Sequence, residues 1–307
     1  MINFRKFISV CLCVSIGLTS LNCTPKKIAS DITSQIMLGG APSFEMEDDM
    51  DLAESSGLTM LKMMEAFAHD NPSNKTYKIL LARSYANYAF GFLEWNMLRY
   101  RGLKEEKFVK NEARAKRFYQ RGKEYGLEVL NTHGSFRNSL NKDLDTFKKA
   151  LKGMGRSDIP ALFWTAFNWG SLINLNKDSP MAIAEFPKVE AIMDRVLTID
   201  EDFFYAGPLL FFAVSFGSRP AMFGGNPQKS KDFFERAISA YKDKFLMAKV
   251  LYAQIYAVQN QDKALYQEQL NAVMATEASI LPEQRLANEM AKLRAKFLLE
   301  NMSQFIP

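Results

Sequence analysis

The stretch Ala115-Lys116-Arg117-Phe118-Tyr119-Gln120-Arg121-Gly122 places a small residue, an aromatic and a glycine at i, i+4 and i+7. At 3.6 residues per turn the three share one face of a helix, and Lys116, Arg117, Gln120 and Arg121 fall outside it. Small residues on such a face let a second helix approach closely, here with an aromatic of the partner filling the gap. The stretch therefore predicts a helix-on-helix fold. The composition agrees. Ala, Leu, Lys, Glu, Met and Phe dominate, most of them favouring helix, and no alternating Val/Ile/Thr run is bounded by hairpin turns.

The same spacing recurs at Ser230, Phe234 and Ala237, and more loosely at Val189, Met193 and Val196. Upstream, Pro72 is followed by Leu81, Ala82 and Tyr85, at the Leu, small and Tyr positions of a first helix. These are landmarks of the tetratricopeptide repeat (TPR), a 34-residue helix pair that stacks on its neighbours. Insertions around Gly102, residues 153–155 and residues 217–226 break the period. Helical periodicity continues through 76–99, 112–130, 139–151, 160–175, 181–199, 203–216, 228–241, 244–258, 263–275 and 282–301. The expected fold is all-α, an irregular TPR-like superhelix of helical hairpins, with roughly ten to twelve helices.

All three cysteines, Cys11, Cys13 and Cys23, lie at the amino-terminal end. Arg5 and Lys6 precede an apolar run at 7–18, short of the roughly 20 residues a membrane-spanning helix needs. This reads as an export leader over 1–22. Its end at Cys23 resembles a bacterial lipoprotein signal, whose cysteine is acylated and becomes the new amino terminus, although Ser20 and Asn22 depart from the common motif. The alternatives are an ordinary cysteine after a cut elsewhere and a retained leader. No cysteine follows, so the exported body has no internal disulfide. Residues 23–50, with Gly39-Gly40, Pro42 and an acidic cluster at 45–51, read as a flexible tether, and residues 51–307 as the helical domain. Thr24 is not the Asp of the common inner-membrane retention signal, which leans the anchor toward the outer membrane.

Without the leader the net charge falls from +5 to +3 with both signs interspersed, which argues against nucleic acid as a partner. The two histidines, His69 and His133, stand near helix ends and form no metal-ligating pair. No nucleophile elbow, phosphate loop or dinucleotide fingerprint occurs. No catalytic residue, metal or cofactor is expected, and the chain does not read as an enzyme.

Two aromatic segments stand out. Phe163, Trp164, Phe167 and Trp169 point in several directions from one helix, and Phe211 and Phe212 belong to a second apolar helix. Either they pack a core, or they line a ligand cavity in which Asn168 and Ser171 orient the ligand. The loop Phe223-Gly224-Gly225-Asn226-Pro227 is a candidate functional element or a structural link. The two readings, a ligand-holding module and a pure protein scaffold, differ in whether the aromatics enclose space.

Taken together, the chain resembles the T-component lipoproteins of tripartite ATP-independent periplasmic (TRAP) transporters. The resemblance rests on Asn71-Pro72, Ala-Asn-Tyr-Ala at 86–89, Phe-Trp-x-Ala-x-x-Trp-Gly at 163–170, Arg-Val-Leu-x-Ile-Asp-Glu at 195–201, the loop at 223–227 and Leu-Ala-Asn at 286–288. It implies a TPR-like periplasmic body, trimeric in the described case and lipid-anchored. It also implies pairing with a periplasmic substrate-binding protein, and an apolar pore that accepts or passes a hydrophobic ligand toward the transporter.

Overall fold

The computed structural model describes residues 25–306, which form helices throughout with no strand among them. Cys11, Cys13 and Cys23 lie outside the described residues. In chain order the first helices are α1 (Pro25–Glu45), α2 (Met50–Asp70), α3 (Lys75–Tyr88), α4 (Glu94–Tyr100) and α5 (Glu105–Leu130). Next come α6 (Gly134–Ser139), α7 (Leu144–Lys152), α8 (Ile159–Asn174), α9 (Pro180–Ala184) and α10 (Phe186–Ile199). The last are α11 (Phe203–Ser218), α12 (Pro227–Ala240), α13 (Leu246–Leu251), α14 (Lys263–Ala275) and α15 (Arg285–Glu300). π-helical segments at Ala89–Leu93 and Tyr252–Ala257 interrupt two of the longer rods.

Neighbouring helices pair antiparallel. Asn71 to Asn74 turn the chain between α2 and α3, and Asn74 caps α3 by accepting from Tyr77 N–H. Phe67 then stacks on Tyr77 near the turn, and Gly57 meets Tyr88 at the far end. The α5–α8 pair rests on the face that Ala115, Tyr119 and Gly122 define. A Cβ at Gly122 would collide with the Asn168 amide, and one at Gly126 with the Thr165 hydroxyl. The small positions thus admit a polar pair, not the aromatic side chain the spacing predicts.

The chain's two ends share one core. Leu61, Tyr85 and Leu93 pack in the same buried cluster as Leu246, Leu270 and Leu298. A second cluster gathers α8 and α10, and a third joins α11 to α13.

The segment read as a flexible tether is different in the structure: 25–45 is the helix α1, docked on the body. Its inward face is polar toward the amino end and apolar beyond, where Met37, Ala41 and Phe44 pack against the core. Asp31 accepts from the side chains of Asn71 (2.8 Å) and Asn74 (2.7 Å), and the Tyr77 hydroxyl donates to the Ser30 carbonyl (2.8 Å). Ile28, Ile32 and Ile36 face outward. Met37, Ala41 and Phe44 share a short apolar face at helical spacing, but Gly39-Gly40 and Pro42 lie among them and read as breaks in a helix. Other boundaries also moved. Residues 181–199 split at Glu185 into α9 and α10, with Pro187 in the first turn of α10. The helix expected over 139–151 starts only at Leu144, as α7, which Asp143 caps by accepting from Thr146 N–H (2.9 Å), and the separate short α6 precedes it.

Candidate functional site: an apolar cavity

A cavity of about 1630 Å³ runs through the body, larger than the roughly 300–1,000 Å³ of ordinary small-molecule pockets. Its walls come from both ends of the chain, from Ala41 to Phe305. Helix α1 contributes Phe44 and Glu45, so the segment expected to be a tether forms wall.

Of the residues the sequence singled out, Phe163, Trp164, Phe167, Phe211 and Phe212 line this space. Phe163 and Trp164 meet edge to face at 4.9 Å, and Phe211 and Phe212 at 5.4 Å. Aromatic pairs prefer this geometry, which makes the wall rigid. Phe204 completes it, 4.7 Å from Trp164, with the Arg83 guanidinium over its other side at 5.2 Å. Phe204, Tyr205 and Ala206 hold left-handed backbone angles (φ 46°, 58° and 58°), a cost of about 1–2 kcal/mol each. Aromatic contacts hold this turn in place: Phe204 on Trp164, and Tyr205 against Phe245 at 5.4 Å. Periodicity reads 203–216 as an ordinary helix and gives no sign of the turn.

Asn168 and Trp169 do not line the cavity. Asn168 is fully buried and donates to the carbonyls of Ala82 (2.9 Å) and Trp164 (2.7 Å), clamping α8 to α3. Trp169 donates to Glu185 (2.7 Å), and the Lys123 ammonium sits 4.2 Å from its ring centre. Ser171 is at the wall, as the sequence suggested.

The loop at 223–227 divides. Gly224 takes φ +83°, and a Cβ at Gly225 would overlap the Arg219 carbonyl. Asn226 caps α12 by accepting from Lys229 N–H (3.0 Å), and Pro227 opens that helix. These four positions build the turn. Phe223 is 61% exposed and lines the cavity mouth with Gly224. Beside them Arg219 lies over the Phe186 ring (4.6 Å) and donates to Glu190 (2.8 Å), fixing the mouth's other edge.

Sequence reasoning missed the polar groups of the wall. Arg83 pairs with Glu45, which also accepts from Gln284 (2.9 Å), and all three line the cavity. Deeper, Glu94 accepts from the Tyr119 hydroxyl at 2.5 Å. Burial pushes the Glu94 carboxyl above its ordinary range, opposed by that hydrogen bond and by the charge of Arg294. Burial and the Glu94 carboxylate together push the Tyr119 hydroxyl up. Among the described residues no group of three or more His, Cys, Asp or Glu could hold a metal ion, and no helix is long and apolar enough to cross a membrane.

The family model described as TRAP transporter T-component matches residues 46–306. The chain belongs to that family. An uncharacterized protein of Treponema pallidum (strain Nichols) is 26% identical over 273 residues, which is 85% of this chain and 82% of the relative. The family ties the chain to TRAP transport as a transporter component. The match begins just beyond α1, so it takes in the aromatic helices α8 and α11, the 223–227 loop and the closing Leu286-Ala287-Asn288.

Proposed function

We propose that the protein is a lipid-anchored lipoprotein of the bacterial envelope that faces the periplasm and is held by Cys23. It partners the periplasmic substrate-binding protein of a TRAP transporter and carries a hydrophobic small ligand in its cavity on the way to the transporter. The aromatic-walled cavity carries this reading. A protein that served only as a scaffold gains nothing from leaving that volume unfilled, because empty apolar space forfeits packing energy. The opening beside Phe223, Met222 and Arg219 offers an apolar, exposed rim where a partner could receive the ligand. By the same reading the body works as a trimer and its anchor lies in the outer membrane.

Native mass spectrometry of the full-length protein taken from its own membrane tests this. The expected spectrum shows acyl mass on Cys23, more than one copy, and a small molecule. Gly91 lines the cavity and a Cβ there meets nothing within 4 Å, so Gly91→Trp fills the space without a clash at the backbone. That variant should keep the acyl mass and lose the small molecule. Wild-type protein that carries no small molecule, with and without added hydrophobic ligand, would sink the carrier role.

A further inference from the structure

Arg294, on α15, is 3% exposed and forms part of the cavity wall. Its Nη2 donates to the Phe90 carbonyl, inside the π-helical segment Ala89–Leu93, where the helix's own hydrogen-bond register changes. Its guanidinium lies 4.5 Å from the Phe90 ring centre. Its Nε is buried without a partner, and among the described residues no carboxylate comes within the 4.0 Å of an ion pair. A buried guanidinium with unmet donors is costly unless something completes it. The nearby acid, Glu94, is engaged by Tyr119, and Ser171 lies beside that hydroxyl. Burial pushes the Glu94 carboxyl above its ordinary range, and no ion pair joins it to Arg294. The cluster opens directly onto apolar wall. Phe90 meets Phe167 edge to face at 6.1 Å, and Phe167 continues to Phe163 and Trp164.

We infer that the cavity takes an amphipathic anion, with a carboxylate or phosphate head bound at Arg294 and an apolar body along Phe90, Phe167, Phe163 and Trp164. The planar fork of a guanidinium matches either head group. Neutral hydrophobes fit the walls but leave Arg294 as unsatisfied as they find it. This inference rests on the carrier reading above and adds the head-group chemistry.

The test uses the full-length protein in lipid nanodiscs, labelled by a photoreactive twelve-carbon fatty alcohol and located by mass spectrometry of the peptides. Dodecanoate, dodecyl phosphate, dodecanol and dodecyltrimethylammonium compete for labelling. At least one of the two anions should compete about tenfold better than dodecanol, the value of one charge-assisted hydrogen bond, and the better of the two identifies the head. Dodecyltrimethylammonium should be weakest. In Arg294→Gln the advantage should fall below about twofold, with Arg294→Lys in between. Arg236→Gln, on the outer surface beside Glu201, should change nothing. If Arg294→Gln does not fold, Glu94→Gln serves: removing the competing acid should raise the anion advantage about threefold, and an unchanged advantage overturns the inference. Equal competition by anion and alcohol in the wild type also overturns it and leaves the cavity reading standing. So does an anion preference that survives in folded Arg294→Gln. Labelling that never reaches cavity peptides would sink both.

Discussion

Gly122 of α5 and Asn168 of α8 occupy the same space: the Asn168 amide lies where a Cβ at 122 would be. Glycine is therefore required, and its conformational freedom is not the reason, since both residues are in regular helix. Gly122→Ala gains about 1 kcal/mol of helix propensity but forces the two helices apart at a fully buried amide. The expected net loss is about 1–3 kcal/mol of stability by urea unfolding. An alanine variant as stable as the wild type would show that the contact is looser than described.

Asn288 is fully buried and serves three backbone groups at once. It accepts from Leu246 N–H (2.9 Å) and donates to the carbonyls of Lys244 (3.0 Å) and Ala278 (3.1 Å). This explains the Leu-Ala-Asn motif at 286–288 as a clamp between α13 and α15. Asn288→Leu leaves all three groups buried and unpaired. It should lower stability by about 3 kcal/mol or more, read as an earlier denaturation midpoint, with exchange of the Leu246 amide accelerated.

The two glycines of the 223–227 loop should differ in rank. Gly224→Ala meets only a left-handed backbone penalty of about 1 kcal/mol, since its Cβ lies 3.8 Å from the nearest Arg219 atom. Gly225→Ala drives a methyl into the Arg219 main chain. It should cost about 2 kcal/mol or more and shift the Arg219–Glu190 contact at the cavity mouth. Melting temperatures of the two variants in the opposite order would refute this account of the loop.

Glu94 gives a pH signature. Its folded pKa is raised by burial, so between its ordinary value near 4.5 and that raised value the folded state binds more protons than the unfolded. Stability from this group is fully present below the unfolded pKa and is lost as pH rises through the folded one. Wild type should therefore gain stability relative to Glu94→Gln as pH falls through the raised value toward 4.5. Parallel pH profiles for the two proteins, measured by chemical denaturation, would refute the raised value.

The helices of the main body were legible because their inward faces are apolar at helical spacing, and so was the close approach at Gly122. The aromatic wall at Phe163, Trp164, Phe167, Phe211 and Phe212 could also be picked out, though the same residues would suit a solid core. Asn168 reads from sequence as a ligand-orienting group and turns out to be a helix clamp, because a buried amide looks the same in a sequence whatever it bonds. Arg294 sits among Lys292, Lys296 and Glu300, and passes for one more solvated charge.

The sequence by itself determined that the chain is all helix, where most helices lie, and that it belongs with TRAP transporter T-components. The first two follow from local periodicity; the third rests on a resemblance of motifs that the family match bears out. The tertiary structure alone decided that residues 25–45 form a docked helix whose Ala41, Phe44 and Glu45 line the cavity. It also decided that the first and last helices share a core, that the aromatics enclose space, and that Glu94 and Arg294, 200 positions apart, face one cavity. Enclosure and the pairing of distant charges depend on which faces meet, and no local pattern records that.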